Sequence, residues 1–270
     1  MDLGLKGRRA LVTGSSSGIG AGIAEVLADE GATLFVHGRD AQRTEAIAAR
    51  LRKKNVEVHS VLGDLGSDAG AHSVIKAVLD RLGGVDILVN NAGGSGVHGN
   101  PAWFDVSLDT WLNGYSQNVG AIVRLCHAFV PGMQQRGWGR IVNIGSGSGM
   151  QPLATIPHYG ASKAALNNLT LSLSKALSHT GITVNTISPG AILTPALEAW
   201  IRDLARQLNW GDDWATIERR YTTEFFPLPV ARIGRVEDIG NMVALIASDR
   251  CSYVTGANIR VDCGHASAVN

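Results

Sequence analysis

Cysteine is scarce in this chain. Its 270 residues include three, Cys126, Cys251 and Cys263, with no Cys-x-x-Cys spacing. So sparse and odd a count offers neither a disulfide framework nor a thiolate metal site, and it suits a reducing compartment. The eight histidines contain no closely spaced pair of the metal-ligand kind, so a catalytic metal is not expected. Charge is also low: 17% of residues are charged and the formal net charge is +1. That balance gives no reason to expect nucleic acid or a membrane surface as partner. No apolar run approaches the roughly 18 residues that suggest a spanning helix. Lys6, Arg8 and Arg9 lead into a short strand and a glycine loop, not into the apolar stretch of a signal peptide. The expected location is the cytoplasm. No internal repeat, low-complexity tract or long linker divides the chain.

What is present is a large apolar fraction, 45% of residues, enough to fold a soluble α/β domain. Short apolar runs and helical patterns alternate. The runs predict strands at Arg9–Thr13, Thr33–His37, Glu57–Leu62, Ile87–Asn90, Arg140–Ile144, Thr183–Ser188 and Asn258–Val261. Helical patterns fill 18–30, 40–54, 68–82, 107–136, 157–179, 195–225 and 235–248. Continuous apolar strands are what helices on both faces of a parallel sheet require. The expected fold is a single Rossmann-type, doubly wound α/β domain spanning 1–270.

Directly after the first strand comes Gly14-Ser15-Ser16-Ser17-Gly18-Ile19-Gly20, which then opens a helix. Glycines let backbone approach a pyrophosphate closely, and the helix N-terminus presents free N–H groups. The spacing is G-x-x-x-G-x-G, so the general G-x-G-x-x-G fingerprint is not strictly met. Further on, Tyr159 and Lys163 stand four residues apart, on one face of a helix. A phenol ordinarily titrates near pH ~10, and a neighbouring cation favours the phenolate. The pair therefore makes a general acid or base. Gly14, Asp64, Asn91, Ser146 and Pro189 follow strands one, three, four, five and six. In such a sheet, ligands bind outside the carboxyl ends of the strands, so these residues indicate one site.

Thr13-Gly14-x-x-x-Gly18-Ile19-Gly20, Asn90-Asn91-Ala92-Gly93, Asn118, Ser146, Tyr159-x-x-x-Lys163 and Pro189-Gly190 together resemble the short-chain dehydrogenases/reductases. The resemblance runs from about Leu5 to Gly264 and is general towards the 3-oxoacyl carrier reductases. It implies a strand order of 3-2-1-4-5-6-7 and a nicotinamide dinucleotide as cofactor. Expected cofactor contacts are Gly14, Ser16, Ser17, Gly18, Ile19, Gly20, Asp64, Leu65, Asn91, Ala92, Gly93, Tyr159, Lys163, Pro189 and Gly190. Ile192 is expected to pack on the nicotinamide and Thr194 to hold its carboxamide. Asn90 reads as structural, and Asp64 has an ordinary helix-capping reading beside the adenine contact.

Strand two ends Val36-His37-Gly38-Arg39-Asp40. An NAD-preferring relative places a carboxylate on the ribose 2′-hydroxyl, and here that position falls on Gly38. Arg39 can pair instead with a 2′-phosphate, so NADP(H) is favoured over NAD(H). Against this, the Ser15-Ser16-Ser17 loop lacks a basic residue, Asp40 can supply a carboxylate, and Arg39 reads equally as a solvated helix-start residue.

The resemblance assigns Tyr159 the proton transfer, Ser146 the carbonyl orientation, Lys163 the ribose contact and the lowering of the Tyr159 pKa, and Asn118 a relay water. The reaction implied is hydride transfer between nicotinamide and a small-molecule carbonyl or secondary alcohol. Gly145-Ser146-Gly147-Ser148-Gly149 is not a nucleophile elbow, because the midpoint of its outer glycines is Gly147. A non-catalytic dinucleotide-binding sensor or scaffold is the other reading.

The segment 195–229 holds Trp200, Leu204, Leu208, Trp210, Trp214, Phe225 and Phe226. Either it covers an apolar substrate, or these groups pack on the body or a neighbouring subunit. Gly94-Ser95-Gly96-Val97-His98 and Met150-Gln151 are candidates for the same pocket, and His98 and His158 for substrate contact. The family resemblance implies a homotetramer, with a dimer as fallback, built through 107–136, 157–179 and the final strand. Cys263 stands where the family usually has glycine.

Overall fold

The computed structural model describes residues 2–96 and 102–267. Seven strands, β1 (Arg9–Val12), β2 (Thr33–Gly38), β3 (Val58–Leu62), β4 (Ile87–Asn90), β5 (Gly139–Ile144), β6 (Ile182–Pro189) and β7 (Asn258–Val261), form one sheet. Its order is β3-β2-β1-β4-β5-β6-β7, and every pairing is parallel. The chain reverses direction across the sheet between β1 and β4, which opens a crevice at their carboxyl ends.

Alternation along each strand builds two cores. Ala10 and Val12 of β1, with Leu34 and Val36 of β2, face α1 (Gly18–Asp29) and α9 (Val236–Ile246). Leu11 and Phe35 face the opposite layer, where Val74 and Val78 of α3 (Asp68–Leu82) and Leu125 and Phe129 of α5 (Ala121–Arg136) close over them. Both strand faces are thus dry, as the continuous apolar runs predict. A charged clamp ties the amino ends of the strands. Arg9 and Arg136 share the Asp86 carboxylate, and Arg140 and the Trp138 indole both donate to Asp249. The carboxyl ends carry the loops of the site.

Two long helical patterns are interrupted. The stretch 107–136 divides into α4 (Leu108–Tyr115), a π-helical turn at Ser116–Gly120, and α5. The stretch 195–225 divides into α7 (Pro195–Gln207) and α8 (Trp214–Arg220), followed by a second π turn at Tyr221–Phe225. Asn209 and Gly211 hold positive φ between α7 and α8, at 52° and 83°, and Asp213 caps α8 through the Thr216 N–H. The other helices, α2 (Ala41–Arg52) and α6 (Pro157–Ala176), fall within their expected spans. Among the described residues, no helix is long and apolar enough to cross a membrane.

The aromatic residues of 195–229 mostly pack on one another. Trp210 and Tyr221 are buried with Ile201, Ala205 and Ile217 in a third cluster, and Trp214 and Phe226 pack against it. Trp200 and Phe225 keep exposed faces. At Cys263 the backbone has φ of 59°, the left-handed region that glycine occupies without steric cost. That conformation fits the glycine that the family resemblance implies at this position. Here the Val230 N–H donates to the Cys263 Sγ at 3.1 Å.

Candidate functional site

Thr13 organises the start of the site. Its Oγ1 accepts from the amides of Asn91 and Ala92, both at 2.9 Å. The Asn91 side chain donates back to the carbonyls of Thr13 and Gly14, at 2.9 and 3.2 Å. The β1 and β4 loops are therefore locked edge to edge across the switch point. Asn90 points the other way and donates to the buried Asn143 at 2.8 Å, a structural link.

Two cavities meet along these loops, of about 320 and 310 Å³. They share Gly14, Ser17, Asn91 and Gly93 as walls and so form one groove. One end is lined by Ser16, Arg39, Asp64, Leu65 and Ala92. The other is lined by Ile19, Gly20, Ser146, Tyr159, Lys163, Pro189, Gly190 and Thr194. Expected residues from seven separate stretches of sequence thus converge on one surface. Gly18, Asn118 and Ile192 lie outside the lining. Gly18 packs against the Thr194 side chain, and Ile192 is buried in the α9-side core. Gly94 and Gly96 line the first end. Val97 and His98 lie outside the described residues.

The groove fits a dinucleotide. A Cβ on Gly14 would come within 2.9 Å of the Ala92 Cα, so backbone lies directly against backbone at this part of the wall. The N-terminus of α1 has no acidic residue in its first turn, and Ser17 makes no side-chain cap. Its first N–H groups therefore have no side-chain cap, the arrangement that phosphate binding at a helix N-terminus needs. At Gly38 any side chain would collide with Thr44 and Ser16, which leaves Arg39, exposed at the rim. The Asp40 carboxylate caps α2, accepting from the Arg43 amide at 2.9 Å and pairing with the Arg43 guanidinium at 3.2 Å.

At the far end, a side-chain hydrogen bond links Tyr159 to Ser146. Burial pushes the Tyr159 phenol above its ordinary pKa, and the Ser146 bond opposes that shift. The expectation that Lys163 lowers it differs from what is found. The Lys163 ammonium stands 5.6 Å from the phenol ring centroid and donates to the Ile144 carbonyl at 2.7 Å. Burial pulls the lysine itself down to about 8. Asn118 sits in the π turn. It accepts from the Gly94 amide and donates to the Gly94 carbonyl, both at 3.0 Å, and donates to Ser162 Oγ at 3.1 Å. Ser162 in turn donates to the Tyr159 carbonyl at 2.8 Å.

His158 is buried, its Nε2 2.6 Å from the Ser95 carbonyl, so it braces a loop. Met150 Sδ accepts from Asn258 and Gln151 from the Ser267 amide, which ties both to the C-terminal strand region. Gly63, Gly66, Gln117 and Ile144 also line the groove without having been expected there, and so does His37, whose ring bonds to both Gly14 and Gly63. The available signal was a polar residue ending an otherwise apolar strand.

Residues 8–205 match the family model described as short chain dehydrogenase, and residues 227–266 match one described as enoyl-(acyl carrier protein) reductase. The chain is 33% identical over 262 residues to 3-oxoacyl-[acyl-carrier-protein] reductase FabG of Pseudomonas aeruginosa, covering 97% of this chain and 98% of the relative. In structure it resembles the L-sorbose reductase of Gluconobacter frateurii complexed with NADPH and L-sorbose. That match has a TM-score of 0.91 and 35% identity and covers 100% of both chains. It also resembles a 7α-hydroxysteroid dehydrogenase complexed with NADH, with a TM-score of 0.83 and 29% identity over 100% of this chain and 98% of the other.

Proposed function

The chain belongs to the short-chain dehydrogenase family, as an NAD(P)-dependent oxidoreductase acting on ketones or secondary alcohols, and from that premise we propose that it is an NADPH-dependent ketone reductase with Tyr159 as proton donor. The observation that carries the reading is that Ser146, Tyr159 and Lys163 share one groove with the glycine loop. Bound there, the nicotinamide dinucleotide supplies the hydride.

The chain's own residues do the rest. Gly14, Ser16, Ser17, Gly18, Ile19 and Gly20 hold the pyrophosphate. Asp64 and Leu65 hold the adenine, and Asn91, Ala92 and Gly93 form the facing wall. Pro189, Gly190, Ile192 and Thr194 confine the nicotinamide end. Ser146 hydrogen-bonds the substrate carbonyl and steadies the charge that develops on its oxygen. Tyr159 delivers the proton to that oxygen, and a phenol whose pKa is raised by burial carries its proton at neutral pH. Lys163 fixes the ribose, and Asn118 sets the loop and helix backbone around Tyr159.

NADPH is favoured over NADH because Gly38 leaves no room for a carboxylate and Asp40 is committed to α2. Arg39 then meets the 2′-phosphate. Replacing Arg39 with Ala is expected to weaken NADPH binding about tenfold, the contribution of a charge-assisted hydrogen bond at an exposed rim, and to leave NADH binding unchanged. Fluorescence titration with both cofactors checks it, and equal losses for the two would remove Arg39 from the role.

For substrate, the relatives' names direct a screen to ketoses such as L-sorbose and to 3-oxoacyl thioesters. The covering segment 195–229 offers the exposed faces of Trp200 and Phe225 to apolar parts of the ketone. NADPH oxidation followed against such a panel tests the reductase reading, and binding of neither cofactor would sink it. The proposed assembly is a homotetramer. Leu108, Leu112 and Tyr115 on α4 and Leu171 on α6 are exposed apolar groups, surface that association would cover. Light scattering is expected to give four times the 28.4 kDa chain mass, and a monomer would overturn the assembly.

A further inference from the structure

We infer that His37 is a positioning residue for the dinucleotide site, its imidazole bridging the first amide of the glycine loop and the carbonyl of Gly63. The inference rests on reading the groove as a dinucleotide site.

His37 is the next-to-last residue of β2 and is buried, and it lines the first end of the groove. A buried polar side chain needs its hydrogen bonds made, and this ring makes both. The Gly14 N–H donates to Nδ1 at 2.9 Å. Nε2 lies 3.1 Å from the Gly63 carbonyl. An amide N–H only donates and a carbonyl only accepts, so the partners fix one tautomer, with the proton on Nε2 and the lone pair on Nδ1.

The backbone around the ring is equally bound. The Ser15 amide donates to the His37 carbonyl at 2.8 Å. The His37 amide donates to Ser15 Oγ at 2.9 Å, and Ser15 Oγ donates to the Val12 carbonyl at 2.6 Å. One side chain of β2 therefore joins the loops that follow β1 and β3, the strands on either side of it beneath this end of the groove. It holds the Gly14 amide inward, towards β2, and so fixes the starting direction of the loop that carries Ser16 and Ser17 to the groove. At Nε2 it fixes the Gly63 peptide, one residue before Asp64.

The bridge requires a neutral ring. A proton on Nδ1 would face the Gly14 N–H, donor against donor. Burial pulls the imidazole down to about 4, the Gly63 bond opposes that shift, Arg39 adds to it, and Asp64 opposes it. The ring thus stays neutral in the ordinary working range.

Two substitutions separate the two bonds. In His37→Asn the amide oxygen reaches the place of Nδ1, keeps the Gly14 bond and drops Gly63. In His37→Gln the amide nitrogen reaches the place of Nε2, keeps Gly63 and drops Gly14. NADPH affinity is measured by fluorescence titration, and melting temperature is recorded beside it. The expected order is wild type, then Asn weaker by about threefold, then Gln weaker by roughly tenfold, since the lost bond in Gln leaves a buried donor unpaired at the loop itself. KM for the carbonyl substrate at saturating NADPH stays unchanged in all three. A merely structural histidine would give equal affinity losses that follow melting temperature, and that outcome, or Gln binding as tightly as wild type, overturns the inference. Failure of the wild type to bind NADPH would instead overturn the dinucleotide reading.

Discussion

Replacing Tyr159 with Phe is expected to lower turnover by ~10²–10⁴, the usual worth of a positioned general acid, while NADPH still binds. The substitution removes one oxygen. Lys163 keeps its bond to the Ile144 carbonyl, and the locks between Thr13, Asn91 and Ala92 lie on other elements, so the cofactor end of the groove is undisturbed. No neighbour takes over the proton transfer. Ser146 has a far less acidic hydroxyl, and the Lys163 ammonium is directed at Ile144. The raised phenol pKa sharpens the expectation: in the reductive direction Tyr159 is a proton donor across the neutral range. Single-turnover measurement of NADPH oxidation separates the chemical step from binding. Unchanged turnover would remove Tyr159 from the role proposed for it. A sensor or scaffold would show no turnover in the wild type to lose.

The strands were legible because most are short apolar runs closed by glycine, asparagine or aspartate, and the burial of the central ones on both faces follows from that pattern. Their carboxyl ends then located the groove, since loops after alternate strands have only one crevice to meet in. The breaks within 107–136 and 195–225 were not legible in the same way. A π turn at Ser116–Gly120 inserts one residue without disturbing the apolar periodicity around it. What distinguishes it is the tertiary pull of Gly94 on Asn118. At Asn209 and Gly211 the turn residues were visible, but the apolar run on either side outweighed them. The aromatic side chains of that segment left two readings open, a substrate wall or packing, and for Trp210, Trp214 and Phe226 the fold shows packing within the segment's own cluster. His37 was hidden because its two partners lie 23 and 26 residues away in sequence, and only the folded sheet brings them to one ring. For Cys263 the missing information was a single backbone angle, and φ of 59° supplies it.

The second large effect is expected at Gly14, where replacement by Ala should weaken NADPH binding by roughly 30- to 150-fold. Gly14 has φ of 63°, which costs an L-residue about 1–2 kcal/mol. Its new Cβ would lie 2.9 Å from the Ala92 Cα and 3.1 Å from the Asn91 Nδ2. Neither can retreat easily, because the Ala92 amide is held by Thr13 and the Asn91 side chain by the carbonyls of Thr13 and Gly14. The His37 ring holds the Gly14 amide from the other side. The loop therefore relieves the strain by leaving its binding geometry. Strain and contact together disfavour that geometry by ~2–3 kcal/mol, and apparent affinity falls by the fraction of molecules that still hold it. Melting temperature should fall less than affinity, since the displaced loop gives up few core contacts. Fluorescence titration of Gly14→Ala against wild type decides the matter: binding within threefold of wild type would mean that the close approach of the glycine loop to β4 is not what shapes the site.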